Sequence, residues 1–384
     1  MSVTAAKGFD AAGVAAGLKS SGRADIALVV NRGPLQNAAA VFTSNRSKAN
    51  PIIWSQQVIA DGTVAAIILN SGGANCFTGA QGFQTTHSTA EAVGAALEVS
   101  AGDVLVCSTG LIGDQLPLDK VLKGVASAVA ALSDEGGSEA ATAIMTTDTI
   151  QKVSTYSSDA GWTIGGMAKG AGMLAPGLAT MLVVLTTDAV VSSQELDAHL
   201  RAATRVSFDR LDSDGCMSTN DQVSLLASGA SGVTPDADEF RHAVIDVCTN
   251  LAVQLHADAE GASHDISILV TGAASEDEAV EVGRSVARNN LFKAAIFGND
   301  PNWGRVLAAI GTTTAEFDPY NVDVIMNGVR VCSGGAPDRP RTDVDLSGRS
   351  VSLTIDLQVV DRSATIWTND LTHDYVHENS AYSS

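Results

Sequence analysis

The sequence predicts a protein of the α/β class, built from layered sheets and helices, and three observations support this. The chain has 384 residues, enough to bury a large core. Short apolar runs typical of buried strands alternate with segments whose apolar residues recur at helical spacing. The last third of the chain adds alternating apolar patterns, which indicate antiparallel strands.

The first strand and helix signals lie between residues 64 and 132. The runs VAAIIL (64–69) and DVLVCSTG (103–110) predict buried strands that lead into glycine-containing turns. Ser88 and Glu91 have the spacing of a capping box, so we expect the intervening helix to begin at Ser88. The next helix is predicted by apolar residues that share one face, namely Val121, Val125, Val129 and Leu132.

The middle of the chain predicts a strand followed by a long helix. The run TMLVVLTT (180–187) reads as a buried strand bounded by Pro176-Gly177 and Asp188. A helical stripe further along should stop near Glu260-Gly261, because glycine suits the residue after a helix. The residues of this stripe are Phe240, Val244, Val247, Leu251 and Leu255.

The last third of the chain is predicted to contain more strands. DISILVTG (265–272) indicates a strand, and Ser275 with Glu278 opens the next helix. Asn327-Gly328 lies between alternating apolar positions, which is a strong hairpin signal. The segment 351–370, VSLTIDLQVVDRSATIWTND, predicts a second hairpin.

The composition excludes several classes of partner. The formal net charge is −20, with 43 acidic against 23 basic residues, which disfavours binding to nucleic acid or to anionic membranes. The longest aliphatic runs are far shorter than a membrane span, and the amino terminus lacks the apolar core of a signal peptide. Five scattered cysteines without a C-x-x-C motif fit a reducing compartment, so we expect a soluble cytoplasmic protein.

Several segments resemble metal-binding or nucleotide-binding motifs but lack residues that those motifs require, so we expect no metal and no nucleotide cofactor. RLDSDGCMSTND (210–221) resembles a calcium loop, but alignment on Gly215 puts Arg210 at the first ligand position. HDYVH (373–377) lacks the glutamate of a zinc-protease helix and reads as structural. GGMAKGAG (165–172) lacks the Gly-Lys-Ser/Thr order of a phosphate loop, and the turns at 71–73 and 110–113 lack dinucleotide-binding spacing.

The stretch APGLATMLVVL (175–185) indicates a specific chemistry. A threonine hydroxyl is a weak nucleophile unless a base takes its proton, and a threonine at a chain start can use its own α-amine. That amine has a reference pKa of about 7.7 to 8.0. Thr180 reaches this state only if the bond after Ala179 breaks, and the small Ala179 together with the Pro176-Gly177 turn favours self-cleavage there.

A set of motifs resembles the bacterial ornithine acetyltransferases, also called glutamate N-acetyltransferases or bifunctional arginine-biosynthesis proteins. The resemblance runs from about residue 8 to residue 384, with the motifs in family order, and their joint occurrence is highly specific. They are NSGGAN, CSTGLIG, MTTD, GGMAKGAGMLAP, LATML, DRLDSDG, ADAEG, NDPNWGR and ENSAYSS.

The resemblance implies a self-processing acetyltransferase with an N-terminal threonine nucleophile. It would move the acetyl group of N2-acetylornithine to glutamate through an acetyl-Thr180 intermediate, with no cofactor and with acetyl-CoA use left open. The implied fold is similar to that of the self-cleaving aminopeptidases. Cleavage between Ala179 and Thr180 would give an α chain (1–179) and a β chain (180–384), which we expect to assemble as α2β2.

The resemblance also implies roles for individual residues. Thr109 and Gly110 lie in the STG turn, where a hydroxyl and a backbone N–H can face a developing oxyanion. Lys169 would pair with the α-carboxylate shared by ornithine and glutamate, although an ordinary lysine remains the alternative. The other expected substrate contacts are Thr146, with Thr147 as the alternative, Glu260, Asn379 and Ser384.

Two other functions remain open at this point. A related self-processed aminopeptidase would pass the acyl group to water or to another amine instead of to glutamate. A non-catalytic amino-acid-binding protein could share the scaffold, and an uncleaved chain would favour it.

We predict that the protein purifies as two polypeptides, the larger of which begins Thr-Met-Leu-Val. The substitution Thr180→Ala should leave one uncleaved and inactive chain, because processing and acetyl transfer would both lack their nucleophile. Intact-mass analysis of both proteins checks this. A fully active, uncut wild-type chain would contradict the prediction.

Overall fold

The computed structural model describes residues 2–175 and 181–381. The strands are β1 (Phe9–Val14), β2 (Ile26–Asn31), β3 (Asn37–Phe42), β4 (Ala66–Asn70), β5 (Val104–Ser108), β6 (Lys152–Ser157), β7 (Thr163–Lys169), β8 (Leu182–Thr187), β9 (Gln222–Ala227), β10 (Asp265–Ala273), β11 (Asp323–Met326), β12 (Val329–Ser333), β13 (Ala336–Pro337), β14 (Ser350–Asp356) and β15 (Arg362–Asn369). The helices are α1 (Asn50–Val58), α2 (Gly79–Leu97), α3 (Leu118–Ala130), α4 (Gly137–Ala143), α5 (Ser193–Val206), α6 (Ala237–Ala257), α7 (Glu276–Ala287), α8 (Asn290–Phe297), α9 (Trp303–Ile310) and α10 (His373–Ala381).

Two sheets pack face to face and are covered by helices on their outer sides. The first sheet has the order β1-β2-β4-β5, and the second has the order β3-β9-β8-β7-β6. Helices α2 and α3 cover the outer face of the first sheet, and α5 and α6 cover that of the second. The layers therefore follow the order helix, sheet, sheet, helix, and the predicted α/β class with layered sheets is confirmed.

Strands inside this sandwich are apolar along their whole length because both of their faces are covered. In β4, Ile67 and Leu69 face the second sheet, whereas Ala66 and Ile68 face the helices. In β8, the residues from Leu182 to Thr187 are all buried in the same manner. The predicted strands at 64–69, 103–110 and 180–187 are confirmed in the part of the chain that the structure describes.

The long helix α6 packs its predicted stripe against the second sheet. All five stripe residues are buried, and Leu251 contacts the glycine backbone of β7 at Gly166. Asp236 caps the helix by accepting from the backbone N–H groups of Asp238 and Glu239. The helix ends at Ala257, three residues before the predicted stop near Glu260.

The prediction that a helix begins at Ser88 is wrong. Helix α2 begins nine residues earlier, at Gly79, so Ser88 lies in its interior. The first half of this helix carries threonines, which the sequence pattern did not assign to a helix. The hydroxyls of Thr85, Thr86 and Thr89 each donate to the carbonyl four residues earlier, which satisfies these buried polar groups within the helix.

A third sheet follows, with the order β13-β12-β11-β14-β10-β15, and it packs against α7, α8 and α9. The hairpin at Asn327-Gly328 is confirmed, since both residues have positive φ, 45° and 80°, as a tight two-residue turn requires. Ser275 caps α7 by accepting from the N–H of Glu278, as predicted.

The second predicted hairpin, at 351–370, is wrong. Strands β14 and β15 both form there, but β10 lies between them, parallel to β14 and antiparallel to β15. Ile266, Ile268 and Val270 bury one face of β10 in the core, and the strand hydrogen-bonds to a neighbour on each edge. An alternating pattern of apolar residues predicts that strands form. It does not predict which strands pair, because pairing depends on contacts between distant parts of the chain.

None of the helices within residues 2–175 and 181–381 is long and apolar enough to cross a membrane. The five cysteines are all free.

We predict that Leu251→Ala lowers the free energy of unfolding by about 2 to 5 kcal/mol, because it opens a cavity between α6 and β7. The matched control is Val253→Ala on the same helix, where the side chain is 47% exposed. That change should stay within about 0.5 kcal/mol. Urea unfolding of both variants checks the difference, and equal effects would be inconsistent with the packing described here.

Candidate functional site

The turn that carries Thr109 and Gly110 lies at the carboxyl end of β5. Strands β4 and β5 are parallel, so the turns that follow them lie side by side. The N–H of Thr109 donates to the Asn70 carbonyl at 2.9 Å, and the N–H of Gly73 donates to the Thr109 carbonyl at 3.0 Å. These bonds fix the Thr109 backbone against the glycine-rich turn after β4.

Gly110 occupies a conformation that only glycine adopts readily. Its φ is +133°, and a Cβ atom there would lie 2.6 Å from the Gly73 backbone nitrogen. Among the residues that the structure describes, none accepts a hydrogen bond from the Gly110 N–H. Within residues 2–175 and 181–381 this donor therefore has no partner, and it belongs to the residue directly after Thr109.

Lys169 ends β7 and brings a positive charge to this turn. Its side chain is 1% exposed, and Nζ donates to Thr109 Oγ1 at 3.2 Å. Because an ammonium only donates, the Thr109 oxygen accepts this bond and its own proton remains available to another acceptor. Burial lowers the pKa of Lys169, and the negative charges of Asp148, Glu260 and Asp221 oppose that shift.

The predicted nucleophile and cleavage site, Thr180 and Ala179, lie outside the described residues. Met181 directly follows Thr180 and directly precedes Leu182. In the sheet, Leu182 of β8 pairs with Lys169 of β7. Its N–H donates to Asp221 Oδ1 at 3.1 Å. Asp221 is fully buried, and burial raises the pKa of its carboxyl well above the ordinary value. Sequence reasoning did not single out this residue.

Glu260 lies in the loop after α6 and contacts two other predicted segments. Thr147 Oγ1 donates to Glu260 Oε1 at 2.7 Å, and Asn379 Nδ2 donates to Oε2 at 3.1 Å. The N–H of Glu260 donates to the Ala171 carbonyl at 2.9 Å, which ties this loop to the segment after Lys169. Of the two threonines left open by the sequence, Thr147 makes the Glu260 contact, while the backbone N–H of Thr146 donates to Asp148.

The contacts therefore form two neighbouring groups. Thr109, Gly110 and Lys169 make one, and Thr147, Glu260 and Asn379 make the other. The segment 169–172 connects them, and Gly172 lies so close to Glu260 that a Cβ atom there would be 2.4 Å from a carboxylate oxygen. Ser384 lies outside the described residues.

A cavity of about 810 Å³ opens beside the second group. Thr147, Glu260 and Asn379 contribute to its wall, together with His373 and His377 of α10. The histidines were expected to be structural, and the ring of His373 does pack edge-on against Phe297. The C-terminal helix therefore forms one wall of the cavity.

The segment 210–221, which resembles a calcium loop, uses its carboxylates for internal contacts. Asp212 accepts from Arg288 at 2.8 Å, and Asp214 accepts from the backbone N–H groups of Met173 and Cys216. In the part of the chain that the structure describes, no group of three or more His, Cys, Asp or Glu residues is arranged to hold a metal ion.

Sequence reasoning also missed a buried ionic group next to Lys169. Lys152 donates to Asp148 at 2.6 Å and to Asp258 at 2.5 Å. The signal was present, because Asp148 is the last residue of the MTTD motif and Lys152 follows it by four positions.

Known proteins similar in sequence to this chain belong to one family. The ArgJ family matches residues 10–384. The arginine biosynthesis bifunctional proteins ArgJ of Streptomyces coelicolor and Thermobifida fusca are 63% and 61% identical, each over the full length of both chains. A solved ornithine acetyltransferase of Mycobacterium tuberculosis, in complex with ornithine, is 56% identical and covers 47% of this chain and 96% of that chain, with a TM-score of 0.45.

The chain belongs to the ArgJ family. It is an acetyltransferase of arginine biosynthesis, and the resemblance drawn from the sequence motifs is confirmed.

Proposed function

We propose that the protein moves the acetyl group of N2-acetylornithine to glutamate by double displacement at Thr180. The observation that carries this proposal is the bond from the buried Lys169 ammonium to Thr109 Oγ1. The next residue, Gly110, has an N–H that donates to none of the described residues. A hydroxyl whose oxygen accepts from a cation is a stronger donor through its own proton. Such a pair of donors suits a developing oxyanion.

Self-cleavage between Ala179 and Thr180 comes first and divides the chain into 1–179 and 180–384. The Thr180 hydroxyl then attacks the acetyl carbonyl of N2-acetylornithine, and its proton passes to the free α-amine of the same residue. The oxyanion accepts from the Thr109 hydroxyl and the Gly110 N–H. When the C–N bond breaks, the protonated amine returns its proton to the leaving amino group of ornithine.

Glutamate then enters the same site, and its α-amine attacks the acetyl-Thr180 ester. The attacking amine gives a proton to the free α-amine of Thr180, which passes it to the threonine oxygen as the ester bond breaks, and N-acetylglutamate departs. No cofactor takes part in these steps. Acetyl-CoA is a secondary donor at most, because we found no phosphate-cradling loop and the chain is strongly acidic.

The two groups of side chains divide the recognition of the amino acid. Lys169 has three donors, so it can hold Thr109 and also bind the α-carboxylate that both substrates share. Glu260 would receive an amino group, with Asn379 and Thr147 fixing its carboxylate. Thr146 would contact the substrate through its hydroxyl. Ser384 completes the substrate-binding set. The active unit is an α2β2 assembly in the cytoplasm.

We predict that incubation with N2-acetylornithine releases ornithine and adds one acetyl group to the larger polypeptide. The acetyl group should pass to glutamate faster than to water, and acetyl-CoA should give a smaller kcat/KM than N2-acetylornithine. Intact-mass analysis and single-turnover release of ornithine measure these steps. Faster transfer to water would favour the aminopeptidase, and an uncleaved chain that binds without acetylation would favour a binding protein.

We predict that Thr109→Ala lowers the rate of acetyl-enzyme formation by about 10² to 10³-fold, the effect of removing one oxyanion donor. Thr109→Ser is the matched control, because it keeps the hydroxyl and should retain most of the rate. Single-turnover measurements on cleaved protein separate this effect from impaired processing. An unchanged rate in the alanine variant would remove Thr109 from the role.

A further inference from the structure

The Asp148 carboxylate joins three segments around the candidate site. Its Oδ1 accepts from Lys152 Nζ at 2.6 Å and from the Gly170 N–H at 2.7 Å. Its Oδ2 accepts from the Thr146 N–H at 2.9 Å. The side chain is fully buried. Two donors, Thr146 and Lys152, flank Asp148 in its own segment, and the third, Gly170, follows β7. One carboxylate thus fixes the residue after Lys169, the start of β6 and the turn before Thr147.

Asp148 also lies between two buried ammonium groups. Burial alone would raise its pKa, but the charges of Lys169 and Lys152 and the bond from Gly170 lower it to about 2. Asp148 is therefore ionised throughout the neutral range. Among the charges that oppose the lowering of the Lys169 pKa by burial, that of Asp148 is the largest.

The other charges near Lys169 come from several elements. Glu260 and Asp221 also favour its charged form, whereas Lys152 disfavours it. Lys19, which donates to the Met145 carbonyl at 2.7 Å, adds a second repulsive charge. Removal of the Asp148 charge would take away the largest of the negative charges that favour the charged form of Lys169, while Lys152 and Lys19 would still oppose it.

We propose that Asp148 is a positioning residue for acetyl transfer: it anchors the turns at Thr146 and Gly170 and supplies the negative charge that the buried Lys169 ammonium requires. It acts through Lys169 on the Thr109 hydroxyl and does not itself touch the substrate. This inference rests on the proposed function, because it assigns Lys169 a role in the reaction.

If Asp148 served only to neutralise Lys152, another carboxylate beside Lys152 could take its place. Lys152 already has a second carboxylate, Asp258, whose side chain is 7% exposed and which also accepts from the Thr149 N–H at 3.0 Å. The charge of Asp258 acts on Lys169 less strongly than the charges of Asp148, Glu260 and Asp221 do. The two carboxylates therefore share one cation but differ in their effect on Lys169, which makes Asp258→Asn the matched control for Asp148→Asn.

The test is the pH dependence of single-turnover ornithine release from N2-acetylornithine by full-length, processed protein. A lysine that must stay protonated gives a rate that falls as pH rises through its pKa. We call this fall in rate at high pH the alkaline limb. In Asp148→Asn the pKa of Lys169 falls, so the alkaline limb should move to lower pH by more than about one unit. At a pH above the limb, this shift lowers the rate by roughly tenfold. In Lys152→Met a repulsive charge is lost, so the limb should move to higher pH. In Asp258→Asn the midpoint should shift much less than in Asp148→Asn.

An unmoved alkaline limb in Asp148→Asn, or shifts of the same direction in Asp148→Asn and Lys152→Met, would overturn the inference. If Asp148→Asn lacks the native circular dichroism spectrum, Lys152→Met decides, and an unmoved limb there overturns it equally. A wild-type protein that releases no ornithine contradicts the proposed function itself, and the inference falls with it. Normal wild-type release with unmoved limbs contradicts the role of Asp148 alone.

Discussion

The positive charge of Lys169 lies in the protein interior. The residues around it supply the hydrogen-bond acceptors and negative charges that a buried cation requires. A buried ammonium is costly unless hydrogen-bond acceptors and negative charges replace the water that it has lost. Thr109 supplies an acceptor at 3.2 Å, and Asp148 supplies the largest opposing charge. The glycine-rich segment after Lys169 follows from the same constraint, because Gly170 and Gly172 let the backbone approach the carboxylates of Asp148 and Glu260.

The layered sheets place these groups with little freedom. β7 and β8 run through the middle of the second sheet, covered on one face by the first sheet and on the other by α5 and α6. β5 of the first sheet ends at Ser108, so Thr109 emerges from one sheet where Lys169 emerges from the other. The site is formed where two packed sheets end together, and its geometry depends on the register of both.

The sequence predicts what depends on local pattern and misses what depends on distant partners. The stripe from Phe240 to Leu255 predicted α6 because helical periodicity is a local property. The α2 start was missed because Thr85 and Thr86 are buried polar residues whose hydroxyls are satisfied within the helix. The supposed hairpin at 351–370 failed because β10, about eighty residues earlier in the chain, lies between its two strands.

The same distinction holds for the site. Motifs identified Thr109, Lys169 and Glu260, but nothing in MTTD says whether Thr146 or Thr147 reaches Glu260. Asp148 accepts from Thr146 and Lys152 in its own segment and from Gly170, which lies 22 residues further along the chain. The spacing of Asp148 and Lys152 is visible in the sequence, but the approach of Gly170 depends on the pairing of β6 with β7.

The strand order of the second sheet has a mechanical consequence. β3, β6 and β7 precede residue 176 in the chain, and β8 and β9 follow residue 180. In the sheet, β9 and β8 lie side by side between β3 on one edge and β7 and β6 on the other. Backbone hydrogen bonds therefore join the two parts of the chain twice, between β3 and β9 and between β7 and β8. A break in the backbone between 176 and 180 would create two new chain ends, but the hydrogen bonds of the sheet would remain. The two pieces could then separate only if the sheet and the core that they share unfolded.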